Sequence, residues 1–160
     1  MAISWPPIDE RGPQVTDAQI RAFEQSYGHP LPDDYRQFLL DVNGGQPDIA
    51  NCEFEHGVVN SLFGLDDTEN DSSDLATRAN RERASLPSRD LLFIGHDDGG
   101  NSLLLALAGD HRGEVWYMLT DDDARPDDAN PRVLWHDRRD MRKVADSFEQ
   151  FMRALRPLSA

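Results

Sequence analysis

Cysteine is almost missing from this chain: Cys52 stands alone, so no intrachain disulfide can form, which fits a reducing compartment. Lysine is as scarce, with Lys143 the single representative among 16 basic residues. Positive charge as a whole is short, since 30 Asp and Glu leave a net charge of −14. That deficit excludes DNA, RNA or an anionic membrane as the main partner, because phosphate binding needs clustered Lys and Arg. No apolar run approaches the roughly 18 residues a membrane span requires. The opening MAISWPPIDERG has neither a basic n-region nor an apolar h-region, so no secretion signal is expected. These absences together predict a cytoplasmic protein, and the preference for Arg, Ala and Asp fits a GC-rich bacterial genome.

What is present centres on residues 16 to 45, which spell two short amphipathic helices. Thr16 and Gln19 form a capping box, with Val15 and Ile20 at the positions of a hydrophobic staple. Ile20, Phe23 and Tyr27 then recur at helical spacing, and Gly28 supplies a left-handed stop. Pro30 and Pro32 keep the connection extended. Pro32, Asp33 and Asp34 suit the first turn of the next helix, whose stripe is Tyr35, Phe38, Leu39 and Val42. Asn43-Gly44-Gly45 ends it with residues that accept positive φ.

The rest of the chain is read more coarsely. Residues 1–14 form an extended lead-in from which Trp5 and Ile8 tuck onto the body, and residues 46–55 read as a polar loop. A strand is expected over 58–65, an acidic loop over 66–74 and a solvated helix over 75–84. Leu91–Gly95, Ser102–Leu107 and Glu114–Leu119 read as strands separated by Gly- and Asp-rich turns, an antiparallel meander. A second acidic loop covers 121–130, and a last short strand is expected over Val133–His136. Ser147 and Gln150 open a final helix with Phe148, Phe151, Met152 and Leu155 on one face. The predicted fold class is α+β. It is a single domain with an N-terminal helical hairpin and a C-terminal helix packed on a mainly antiparallel sheet. Its bounds are 16–155, after a lead-in of 1–15 and before a tail of 156–160.

The order of these parts resembles the SUKH superfamily, the Smi/Knr-like domains. The resemblance rests on Phe23, Glu24 and Gly28, then Leu31, Pro32, Asp34, Tyr35, Phe38 and Leu39, then Asn43-Gly44-Gly45. It continues through Phe93-Ile94-Gly95-His96-Asp97-Asp98-Gly99-Gly100-Asn101 and Gly113-Glu114-Val115-Trp116-Tyr117, and closes on Ala145-Asp146-Ser147-Phe148-Glu149-Gln150-Phe151-Met152. The charged helix near 75–84 and the Asp-rich loop near 121–128 depart from that pattern, both where loops vary.

Chemistry is sparse. Gly95 and Gly99-Gly100 follow a strand but do not form a phosphate-cradling motif with a helix behind it. Cys52 and His56 lack the second ligand pair of a zinc site. Asp67-Thr68-Glu69-Asn70-Asp71 begins like a calcium loop, yet Ser72 replaces its glycine and Arg78 its final glutamate. His96-Asp97-Asp98 offers a histidine beside carboxylates, but a polar hairpin tip explains it as well. Ser61, Ser72, Ser73, Ser85, Ser88 and Ser102 have no triad context. No catalytic residue, metal or cofactor is therefore predicted.

Acidic surface remains. Asp66, Asp67, Glu69, Asp71 and Asp74 form one cluster and Asp121, Asp122, Asp123, Asp127 and Asp128 another. Asp97 and Asp98 lie between them if both loops leave the same end of the sheet. Asp66, Asp67, Glu69, Asp97, Asp98 and the five Asp of 121–128 are the candidate partner-binding residues. The smaller basic stretch of Arg138, Arg139, Arg142 and Lys143 is interrupted by acids. The resemblance implies a non-enzymatic immunity protein that occludes a basic toxin, a nuclease being an apt target because its substrate surface is positive. The alternative it implies is a regulatory or scaffolding protein of the Smi/Knr type. Plain solvation of the loops is the simplest account of the charge.

Overall fold

A computed structural model describes residues 2–67, 71–120 and 133–159. The order is β1 (Ile8–Asp9), α1 (Asp17–Tyr27), α2 (Asp33–Asp41), β2 (Gln46–Pro47), β3 (Glu53–Phe54) and β4 (Gly57–Leu62). There follow α3 (Leu75–Glu82), β5 (Leu91–Asp97), β6 (Ser102–Ala106), β7 (Val115–Met118), β8 (Met141–Ala145) and α4 (Phe148–Arg153).

Local chemistry explains the helix ends. The Thr16 hydroxyl accepts from the Gln19 N–H while the Gln19 side chain accepts from the Thr16 N–H, satisfying two N–H groups that a helix start leaves orphaned. Gly28 closes α1 at φ 97° and its N–H reaches the Glu24 carbonyl at 2.8 Å. Pro32 precedes α2 as its cap residue. In α4 the Ser147 side chain accepts from the Gln150 N–H, while the Gln150 side chain accepts from the Asp146 N–H.

The six strands β3 to β8 pair antiparallel in sequence order, a meander, and β1 pairs with β2 apart from it. Register fixes the faces, because side chains alternate along a strand. Leu92, Leu105 and Val115 share one row on one face, with Leu103 and Tyr117 beside them. Phe54 joins Tyr117 on that face to Phe151 of α4, ring centroids 5.4 and 5.7 Å away. α2 and α4 meet through Phe38 and Phe148, 4.9 Å apart, and Trp5 of the lead-in closes over both. The Tyr27 hydroxyl ties the end of α1 to the sheet by donating to the Leu91 carbonyl at 2.6 Å. The opposite face carries Phe93, Leu104 and Trp116 in one row and Ser102 and Met118 in another. α3 partly covers it, laying Arg78 over Phe63 and Phe93.

Asn43 is the joint between hairpin and sheet. At φ 63° and fully buried, its amide donates to the Pro13 and Leu65 carbonyls and its Oδ1 accepts from the Leu65 N–H at 2.7 Å. Gly44 beside it has φ 81°, and a Cβ there would lie 2.6 Å from the Phe63 and Gly64 backbone. Only glycine fits such an approach.

The structure corrects the sequence reading in three places. The stretch 46–55 is no plain loop but contains β2 and β3. The expected strand over Val133–His136 is absent from the described residues. A 3₁₀ turn spans Trp135–Asp137 instead, and the strand comes later, at Met141–Ala145. Pairing with β7 on one side only makes β8 an edge strand, where Arg142 and Lys143 are tolerated.

Candidate functional site

The β5–β6 hairpin is built around Asp97. Its carboxylate accepts from the Asn101 N–H at 2.7 Å and the Asn101 amide at 3.1 Å, and from the Tyr117 hydroxyl. Asn101 also donates to the Tyr117 oxygen at 2.7 Å, and its own Oδ1 accepts from the Thr120 N–H. Asp97 is thus 4% exposed: it organises the turn and offers no carboxylate to a partner. Burial first, then the Asp97 carboxylate, holds the Tyr117 phenol far above its ordinary range. His56 stacks on the Tyr117 ring at 5.6 Å, and His96 faces the Asp97 carbonyl at 3.1 Å. Ser61 stands opposite His96 in the strand register, but among the described residues no serine or cysteine side chain is hydrogen-bonded to this group.

The remaining acids are distributed differently from a single cluster. Asp98 is exposed at the start of β4, where its N–H reaches the Val58 carbonyl and its carboxylate accepts from Asn60 at 2.9 Å. Asp66 and Asp67 lie past the other end of β4, because β4 and β5 run antiparallel. Six strand residues, about 20 Å, separate the two ends. Asp66 is exposed at φ 57° and accepts from Gln19 at 2.7 Å. The Asp67 N–H donates to Asp74, which also caps α3. Thr120 stands at the Asp98 end, since it binds Asn101. Glu69, Asp121, Asp122, Asp123, Asp127 and Asp128 lie outside the described residues.

One feature escaped the sequence altogether. On the sheet face under α3 lies a cleft of about 500 Å³, floored by Phe93, Ser102 and Met118 and walled by Arg78, Glu82 and Asp140. Arg138 grips Asp140 through two hydrogen bonds of 3.0 and 2.8 Å. The walls come from α3 and from residues 138–140, about sixty positions apart, so no local motif announces the cleft. Elsewhere Cys52 is buried, and burial above all, with Asp98, Glu53 and Asp48 adding to it, pushes its thiol upward, away from nucleophile and ligand chemistry. Among the described residues no group of three or more His, Cys, Asp or Glu is arranged to hold a metal. No helix there is long and apolar enough to cross a membrane.

A helical hairpin closed by Asn-Gly-Gly, an antiparallel meander with an Asp-organised turn and a C-terminal helix across the sheet define a Smi/Knr-like domain. The chain belongs to the SMI1 / KNR4 family (SUKH-1), whose family model matches residues 14–154. Domains of this family bind partner proteins. No curated protein matches the chain.

Proposed function

We propose that this protein is a non-enzymatic immunity-type module that neutralises a cognate bacterial toxin in the cytoplasm by stoichiometric binding. The observation that carries the reading is the charge, −14 on 160 residues, presented in part by exposed acids such as Asp66 and Asp98, which accept hydrogen bonds from the neutral amides of Gln19 and Asn60. Such a surface accelerates encounter with a basic partner and sets its salt dependence. A nuclease is the apt toxin class, because a surface that holds phosphates must be positive. Masking that surface needs no chemistry from the inhibitor. Asp97 is no part of the binding surface, whereas Asp66, Asp67, Asp98 and the acids of 69 and 121–128 remain its candidates.

The test is capture of partners from the native strain's lysate and secretome, followed by stopped-flow association of the purified pair. A 1:1 complex is expected in which the partner's toxicity is lost. Its association rate should fall by about tenfold or more between low and physiological-to-high salt. Asp66→Asn with Asp98→Asn should slow association with little change in dissociation. A partner that stays active in the complex, or one whose binding ignores salt, would move the regulatory Smi/Knr-type reading ahead.

A further inference from the structure

The cleft on the α3 side of the sheet is lined by two charges, Arg78 and Glu82, that no ion pair among the described residues neutralises. Arg78 lies with its guanidinium carbon 5.0 Å from the Phe63 ring centre and 5.3 Å from that of Phe93, inside the roughly 6 Å reach of a cation–π contact. Of its nitrogens only Nη1 has an acceptor, the Ser72 carbonyl at a long 3.3 Å, and Nε is buried with none. Glu82 follows four positions later and lines the same cleft. That spacing favours a pair on a helix, yet neither the Arg78 nor the Glu82 side chain is bound to the other. Arg138 and Asp140, by contrast, satisfy each other, with Asp140 only 3% exposed.

We propose that this cleft binds a carboxylate group, with Arg78 as the cation that receives it. The guanidinium lies against two phenyl rings, and it presents its donors in a fork that matches a planar carboxylate. A cavity of about 500 Å³ falls in the ~300–1,000 Å³ range of small-ligand sites. Met118 and Leu119 on its lining suit the carbon stem of an acid. Glu82 and the buried Asp140 argue against a phosphate, whose second negative charge would face them both. The molecule's overall negative charge does not forbid the site, because charges farther than a Debye length of about 8 Å are largely screened at physiological salt. This assignment stands apart from the immunity reading. The carboxylate can belong to an Asp or Glu side chain, to a chain's C-terminus or to a free organic acid.

The experiment uses the full-length protein labelled with ¹⁵N, following the Arg78 Nε–H resonance, identified by its loss in Arg78→Lys. Acetate, N-acetyl-aspartate amide, N-acetyl-alanine and N-acetyl-asparagine amide are titrated separately against sodium chloride of equal ionic strength. Saturable shifts at Arg78, Phe93 and Ser102 are expected with the three carboxylates and none with the asparagine amide. The tightest of the three identifies the source: side chain, terminus or free acid. Arg78→Gln should abolish saturation, with circular dichroism confirming its fold. Glu82→Gln, at the end of α3, should tighten binding about threefold or more by removing the opposing charge, and decides the matter should Arg78→Gln unfold. Shifts that follow ionic strength alone, saturation that survives Arg78→Gln, or Glu82→Gln without effect would each overturn the proposal.

Discussion

At the scale of single residues, two buried tyrosines make opposite predictions. Tyr35 is fully buried and its hydroxyl has no hydrogen-bond partner. Tyr117 donates to Asp97, a carboxylate with little access to water. An unpaired buried hydroxyl costs its desolvation, whereas removing a donor from a buried carboxylate takes away one of the hydrogen bonds that offset the burial of its charge. Tyr35→Phe should therefore leave the urea midpoint unchanged or raise it, and Tyr117→Phe should destabilise by about 1.5–3 kcal/mol. Asn43→Ala removes three hydrogen bonds at once, from Pro13 and Leu65. It leaves two carbonyls and an N–H unpaired in the core, so a loss of about 2–4 kcal/mol is expected in the same assay. None of these contrasts is legible in the sequence. Tyr35 and Tyr117 both read as core aromatics, and Asp97 reads as a surface acid because its partner Tyr117 lies 20 positions away.

At the scale of elements, legibility follows how local the determinant is. α1, α2 and α4 were readable because caps and stripes sit within a few residues of one another: Thr16 with Gln19, Ile20 with Phe23 and Tyr27, Ser147 with Gln150. β8 was not, because Met141-Arg142-Lys143-Val144-Ala145 owes its strand conformation to β7, more than twenty residues earlier. The β2 and β3 pieces, two residues each, exist only through their partners. The two hairpin helices are also joined electrostatically. Arg36 of α2 lies between Asp17 and Glu24 of α1, contacting Asp17 closely and Glu24 at 2.8 Å. The Arg36 hydrogen bond holds the Asp17 carboxyl below its usual range. A depressed folded-state pKa gives stability that is present above the unfolded value and is lost as pH falls through the folded one. The advantage of wild type over Arg36→Gln in urea midpoint should accordingly shrink as pH drops from about 5 to about 2.5.

At the scale of the whole molecule, the surplus of 14 negative charges works against compactness, since like charges repel most when the chain is folded. Salt relieves that repulsion by screening it. Thermal midpoints should rise by several degrees between about 20 mM and about 500 mM sodium chloride, and a protein stabilised chiefly by surface ion pairs would do the reverse. The same charge supports the proposal of a basic partner from composition alone, while the positions that carry it depend on topology. Antiparallel pairing of β4 with β5 sends Asp66 and Asp98 to opposite ends, so one partner touching both must span the length of a strand. The cleft needed the whole fold, because α3 and residues 138–140 meet only across it.

The joint at Asn43 also bears on how the protein ages. An asparagine followed by glycine is the pair most prone to self-attack in a mobile chain. The glycine nitrogen displaces ammonia from the side-chain amide, and hydrolysis of the ring leaves aspartate or isoaspartate. Here the amide is held on both sides by Pro13 and Leu65, and the backbone around Gly44 leaves no room to swing. Folding therefore acts as a preservative, and each excursion to the unfolded state starts a clock. Molecules that convert would return with a carboxylate pressed against two carbonyl oxygens. Samples held in urea for days before dilution should yield a growing acidic fraction modified at residue 43 that no longer refolds, while natively stored protein keeps its asparagine.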